Sequence, residues 1–325
     1  MSATDARAFW ITAPGQGAIR PEAIPDPTGA DVFVRTLFTG VSRGTEALVF
    51  EGKVPPGEYE RMRAPFQAGS FPAPVKYGYA NVGLVEAGPR ALLHRHVFAL
   101  VPHQSHYCVP ADAVHVLPEG VPPERAVLAA NLETAINGLW DAAPKIGDHI
   151  VVIGGGVVGC LAAWLARQLA GADVTLVDVR QERAVVASSL GVAFSVPDFA
   201  PGDADLVLHA SGNPAGLQLA LRLAGVESTV VDLSWYGDQL VPLPLGEAFH
   251  ARRLTLRSSQ VGQLPPLQRS RWTTRRRMAL ALSLLVDPAL DVLISGESAF
   301  EDLPSVMPTL VAGAGDVLCH RIRYW

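Results

Sequence analysis

Cysteine is scarce in this chain: 3 in 325 residues. Cys108, Cys160 and Cys319 lie far apart and form no CxxC pair. That excludes a disulfide framework and a cysteine-rich metal lobe, and the expectation is a reducing, cytoplasmic compartment. Long hydrophobic runs are missing too. No uninterrupted apolar stretch reaches the roughly 18 residues of a membrane helix, and the opening residues do not read as a secretory signal. Positive charge is not in excess: the formal net charge is −5 and the pI about 6.0. No broad cationic field is therefore expected to attract nucleic acid. One basic run, RSRWTTRRR at 269–277, reads as the solvated start of the helix that follows. No repeat of solenoid period is evident.

What is present is apolar material for two cores: 49% of the residues are hydrophobic, in a length that suits two domains. Residues 1 to about 118 alternate short β-type runs (AFWIT, DVFVRTLF, ANVGLVEAG, HVFALV, HYCVP) with proline and glycine, which suggests a compact, distorted β-barrel. Residues 124–141 are helix-like. Strands HIVVI, DVTLVD, DLVLHAS and STVVDLSW then alternate with helices at 157–170, 180–190 and 214–224, a pattern that implies a parallel sheet with helices on both faces. A further strand ends in SSQVG, and 273–286 reads as a helix.

The richest motif joins the first two of those strands. In HIVVIGGGVVGCLAAWLARQLAG, residues 149–171, Gly154, Gly156 and Gly159 fit G-x-G-x-x-G between a strand and a helix. Gly154 suits a tight turn, Gly156 admits a pyrophosphate close to the backbone, and Gly159 permits close helix–strand packing. The N–H groups of Val157 and Val158 open the helix, whose positive dipole end favours phosphate. The next strand ends on Asp178, about 20 residues past the last glycine, where a carboxylate accepts ribose hydroxyls. The chain is thus expected to bind a dinucleotide. Asp178 would repel a 2′-phosphate, which favours NAD over NADP; Arg180, beyond Val179, is the residue that could accept one. Arg183 is expected at the ribose. Ligands sit beyond the carboxyl ends of parallel strands, which adds Ser211 and Gly212 on the adenosine side, Ser234 towards the nicotinamide, and Ser259 and Gln260 near its carboxamide.

The order of parts resembles the medium-chain dehydrogenase/reductase superfamily over nearly the whole chain. The local matches are GVSRGTEALVFEG (40–52), KYGYANVGLVEAG (76–88), LPEGVPPERAVLAANLETAINGL (117–139) and IGGGVVGCLAAWLA (153–166). The resemblance implies an α/β chain with a GroES-like β-barrel domain (1–118 plus 290–325) and a Rossmann domain with a doubly wound parallel sheet (119–289). Within the superfamily the Ser/Gly-Thr-Glu variant is most similar to the bacteriochlorophyllide hydroxyethyl dehydrogenases and their relatives. In the zinc enzymes a cysteine precedes the Thr-acid pair and a Gly-His-Glu follows. Here Ser42 and Arg43 stand at the cysteine, Thr45 and Glu46 keep the pair, and Tyr79 and Ala80 replace His-Glu. Glu133 matches the glutamate of the polyol branch. One ligand of three cannot hold tetrahedral zinc, so no metal is expected. The histidines of HRHVFALVPHQSH (His94, His96, His103, His106) read as loop residues, with a substrate-pocket role open for His103 or His106.

The resemblance thus implies an NAD(H)-dependent, zinc-independent oxidoreductase that interconverts a secondary alcohol and a ketone by hydride transfer. Without a metal, side chains must handle the charge on the substrate oxygen. Tyr79, whose matched position faces the cleft between the domains, is the expected proton donor. Thr45 matches the proton-relaying hydroxyl, Arg43 or Lys76 would supply positive charge, and Glu133 would orient a water or act as an acid. Asn137 matches a position near the nicotinamide ring. The segment Glu51 to Tyr77 is expected to wall the substrate pocket with Tyr59, Met62, Phe66 and Phe71. Expected partners are a small-molecule alcohol or ketone and a second copy in a homodimer. The alternatives are a quinone or enone reductase of the same superfamily, against which Asp178 argues, and a non-catalytic dinucleotide-binding protein.

Overall fold

The computed structural model describes residues 6–313 and 317–325. The chain divides into two compact units, Met1–Ala130 with Met278–Trp325, and Asn131–Arg277. These borders fall inside the helices Ala129–Ala142 and Thr274–Leu284. The sequence pattern had suggested the loops near 118 and 290.

The first unit is built on two sheets. A seven-stranded sheet runs in the order Ile294–Ala299, Cys319–Arg323, Asp31–Val41, Asn81–Ala87, His96–Ala99, Val114–Val116, and His106–Pro110 also pairs with Asp31–Val41. The central strand shows why: alternate residues of Asp31–Val41 are buried, the period of a half-buried strand. Val32, Val34, Val85, Val97, Tyr107 and Val109 close one core around it. A four-stranded sheet contains Arg7–Ala13, Gln16–Pro21, Val75–Lys76 and Ala68–Gly69. The strand at 16–21 and the eight-residue helix Arg43–Phe50 have no counterpart in the sequence reading.

The second unit carries one parallel six-stranded sheet in the order Ala193–Ser195, Asp173–Val177, His149–Ile153, Ala204–His209, Ala224–Asp232, Thr255–Ser258. In chain order this is 3-2-1-4-5-6, the doubly wound topology, with the direction of winding reversing between His149–Ile153 and Ala204–His209. The expected helix at 157–170 ends as Val157–Ala166, and that at 180–190 is Arg183–Ser189. Val157–Ala166 is buried on nearly every side, consistent with its apolar sequence.

Candidate functional site

The glycine-rich turn lies at the topological switch point, where open α/β sheets bind ligands. Gly154 has φ +106°, and a Cβ there would stand 2.6 Å from the Ser211 main-chain nitrogen. At Gly159 a Cβ would overlap the Gly154 carbonyl oxygen. At Gly156 it would meet nothing, so the space before the helix N-terminus is open. Asp178 is held at the rim of the turn: Gly155 N–H donates to Oδ2 at 2.6 Å and Arg180 N–H to Oδ1 at 2.9 Å. A cradle that excludes side chains, a free helix start and a fixed carboxylate fit a dinucleotide. Val157 and Val158 form the half-buried first turn of that helix, and Val179 is exposed. Arg183, expected at the ribose, is 2% exposed and lies beside Gly155 and Cys160, where the helix it starts turns it inward.

Beyond the next two strands is a polar cluster that the sequence reading named only in part. His209, fully buried, ends Ala204–His209 and places Nδ1 2.9 Å from Asp232 Oδ1 and Nε2 2.6 Å from Ser211 Oγ. Ser234 Oγ accepts the Gly212 N–H at 3.1 Å, and Tyr236 donates to Asp232 Oδ2 at 2.9 Å. Ser211 and Gly212, expected on the adenosine side, and Ser234, expected towards the nicotinamide, are thus brought into one cluster. The signal for His209 was a histidine closing an apolar strand.

Asn137 and Glu133 are occupied by Arg277, the last residue of the basic run read above as solvated, which the structure instead buries. Arg277, 2% exposed, donates from Nε to Glu133 Oε1 at 3.0 Å, from Nη1 to Asn137 Oδ1, and from Nη2 to the Val261 carbonyl at 2.5 Å. The Asn137 amide group donates onward to Asp141, Ser259 and the Gln260 carbonyl. Ser259 donates to Asp141 at 2.7 Å, and Gln260 accepts the Gly262 N–H. Burial raises the Glu133 carboxyl above its usual range, against the opposing pull of Arg277. Glu133 and Asn137 therefore brace this corner of the second unit.

In the first unit, the helix Arg43–Phe50 brings Ser42 and Thr45 into hydrogen-bond contact with the Tyr79 phenol. Burial and the Glu46 carboxylate push that phenol up to about 12. Glu46 is 2% exposed and accepts the Ser42 N–H at 2.7 Å while its other oxygen faces His103 Nε2 at 2.8 Å. His103, weighed above for a pocket role, is thus a buried partner of the Thr-acid pair; His106 sits against Phe33 and Ser105. The expected cations are engaged elsewhere. Arg43 donates to the Val317 carbonyl at 3.0 Å, and Lys76 pairs with Glu22 at 2.5 Å and lies over the Trp10 ring. In the segment to Tyr77, Phe71 is 5% exposed and packs between Tyr59 and Tyr77, which places it in the core; Phe66 is 44% exposed. The donor set does not fit zinc. Ser42, Arg43, Tyr79 and Ala80 occupy the relevant positions, and among the described residues no three His, Cys, Asp or Glu side chains converge.

Comparison with known proteins agrees with this architecture. Residues 126–200 match the family model of the alanine dehydrogenase/PNT C-terminal domain. An uncharacterized zinc-type alcohol dehydrogenase-like protein of Haemophilus influenzae is 31% identical over 147 residues, 42% of each chain, so the chain spans less than half the length of that curated relative. A short chain alcohol dehydrogenase from Escherichia coli CFT073, solved with NADH, superposes with a TM-score of 0.77 at 15% identity over 99% of this chain and 100% of that one. A putative zinc-binding dehydrogenase from Sinorhizobium meliloti 1021 bound to NADP gives 0.77 at 18% identity, with the same coverage. The chain shares its fold with these dehydrogenases and, over 42% of its length, is similar in sequence to the zinc-type alcohol dehydrogenase-like protein.

Proposed function

We propose that the protein is an NAD(H)-dependent oxidoreductase that interconverts a secondary alcohol and a ketone without zinc. The observation that carries the reading is the glycine cradle with the Asp178 carboxylate fixed at its rim. Each Asp178 oxygen keeps a lone pair for a ribose hydroxyl, whereas a 2′-phosphate would meet like charge. When bound, the nicotinamide gives or takes the hydride. The chain's own part is at the oxygen: Tyr79 holds a proton on its phenol, and Ser42 and Thr45 orient it. In the reducing direction the Tyr79 O–H bond breaks and the proton passes to the substrate oxygen. Lys76, Arg43 and Glu133, bonded to other groups, leave that task to Tyr79. The three free cysteines suit a reducing cytoplasm. The edge strand Thr255–Ser258, exposed at every residue, supports a homodimer, which light scattering would test.

Fluorescence titration with NADH and NADPH tests the cofactor. NADH binds tighter, and Asp178→Ala weakens NADH by roughly tenfold while NADPH changes less, the loss of about one charge-assisted hydrogen bond. Equal affinity of the intact protein for the two cofactors would overturn the assignment.

A further inference from the structure

A carboxylate, an imidazole and a hydroxyl stand in line at the carboxyl ends of two neighbouring strands in the second unit. His209, fully buried, ends Ala204–His209, and Asp232 ends Ala224–Asp232. Parallel pairing sets His209 opposite Asp232, so the sheet itself fixes their contact: Asp232 Oδ1 lies 2.9 Å from His209 Nδ1. On the other side of the ring, Nε2 lies 2.6 Å from Ser211 Oγ. The helix Pro214–Leu223 closes over that second contact, since a Cβ at Gly216 would stand 2.8 Å from His209 Nε2 and overlap Ser211 Oγ. Ser211 and the two residues after it are exposed, so solvent reaches the outer end of the line.

Donors and acceptors fix where the hydrogens sit. Asp232 accepts the Ser234 N–H on Oδ1 at 2.9 Å and the Tyr236 hydroxyl on Oδ2 at 2.9 Å. Burial alone would raise its carboxyl, but these bonds and the one from His209 hold it below the usual range, so it is ionised and only accepts. His209 therefore carries its hydrogen on Nδ1 and presents a bare Nε2, to which the Ser211 hydroxyl donates. Ser211 Oγ accepts the Asn213 N–H at 3.2 Å and keeps a second lone pair for attack. The residue after the serine, Gly212, has φ +65° and donates its N–H to Ser234 Oγ at 3.1 Å. A turn of the Ser234 side chain releases that N–H, and the N–H following a nucleophile is where acyl-transfer sites place an oxyanion donor.

We propose that Ser211 is a nucleophile with His209 as its general base and Asp232 as the positioning residue, a site that takes activated carboxylic esters. The close approach of Gly216 limits the acyl group to a small one. The Ser211 O–H bond breaks as Oγ bonds the acyl carbon, and the proton passes to His209 Nε2. The bond to the leaving oxygen then breaks, and that oxygen departs with the electron pair and the proton from Nε2. Water next attacks the acyl-serine; Nε2 takes its proton and hands it to Ser211 Oγ as the carboxylic acid leaves. The sum is one ester and one water giving one acid and one alcohol. No dinucleotide takes part, so the activity stands apart from the dehydrogenase reading.

The test uses the full chain without cofactor, and p-nitrophenyl acetate as the probe. The expected result is a burst of about one nitrophenolate per chain, with the acetyl group found by mass spectrometry on Ser211. Ser211→Ala, a small change at an exposed position, removes both. Asp232→Asn slows the burst at least about tenfold, because the imidazolium formed on attack loses its counter-charge. In the same variant the His209 Nδ1 proton, far downfield by NMR in the intact chain, moves upfield as its acceptor loses charge, a change that altered packing alone would not give. If circular dichroism shows Asp232→Asn unfolded, Ser211→Ala and the position of the label decide. No burst, a burst that survives in Ser211→Ala, an acetyl group on another residue, or a folded Asp232→Asn that keeps its rate overturns the proposal. Failure to bind NADH would instead overturn the dehydrogenase reading and leave the burst unaffected.

Discussion

Arg277 Nε donates to Glu133 Oε1 across 3.0 Å, with the arginine side chain 2% and the glutamate 7% exposed. The same guanidinium serves Asn137 and the Val261 carbonyl, so one side chain satisfies two buried acceptors and one half-buried one. Arg277→Met leaves them without it. Breaking a buried pair from one side costs about 3–5 kcal/mol, to be read as a lower urea midpoint. The sign with pH follows from Glu133. Burial already raises its carboxyl, and losing Arg277 raises it further. A carboxyl raised on folding favours the folded state below its unfolded pKa, and that contribution is lost as pH rises through the folded value. The variant's deficit should therefore be largest at neutral pH and shrink on acidification.

Gly159→Ala tests the cradle. The added methyl has the Gly154 carbonyl, which is backbone, in its way, so the turn must open. NADH affinity should fall at least about tenfold, with a loss of thermal stability of about 1–3 kcal/mol from overpacking. Gly156→Ala, whose methyl meets no protein atom, should keep its stability and lose only affinity, as it intrudes on the ligand's side. Equal loss of stability in both would contradict the assignment of the open side.

Tyr79→Phe removes the proposed proton donor and leaves the ring. Turnover on any accepted ketone should drop by about 10²–10⁴-fold, the usual worth of a positioned acid, with NADH affinity unchanged. Unchanged turnover would remove Tyr79 from the mechanism.

Metal content is a direct check on the donor set. Purified protein should hold well below one zinc per chain, and a chelator should change neither melting temperature nor turnover. About one tightly held zinc per chain, lost together with activity, would overturn the zinc-free reading.

The dinucleotide half was readable because its chemistry is local. Gly154, Gly159 and Asp178 act through turns and strand ends whose spacing a βαβ unit imposes. The barrel half was less readable because its partners are remote in sequence. Nothing near Lys76 announces Glu22, which sheet pairing brings to it. His103 and Glu46 stand 57 positions apart and meet because their segments flank the long strand Asp31–Val41. The helix Arg43–Phe50 was hidden by Gly44 and Thr45, poor helix formers that here flank a turn held by the Glu46 to Ser42 bond. The burial of Arg183, expected at the ribose, is a tertiary outcome that the local sequence does not announce.

The strand Cys319–Arg323 occupies an interior place in the seven-stranded sheet, flanked by Ile294–Ala299 and Asp31–Val41. It also delivers Tyr324 to Thr39. On a ribosome, then, the nucleotide-cradling unit can finish folding while the earlier β segments still wait for their missing neighbour. Removing the strand Cys319–Arg323 would leave a gap in the middle of a sheet and strip two neighbours of their backbone partner at once.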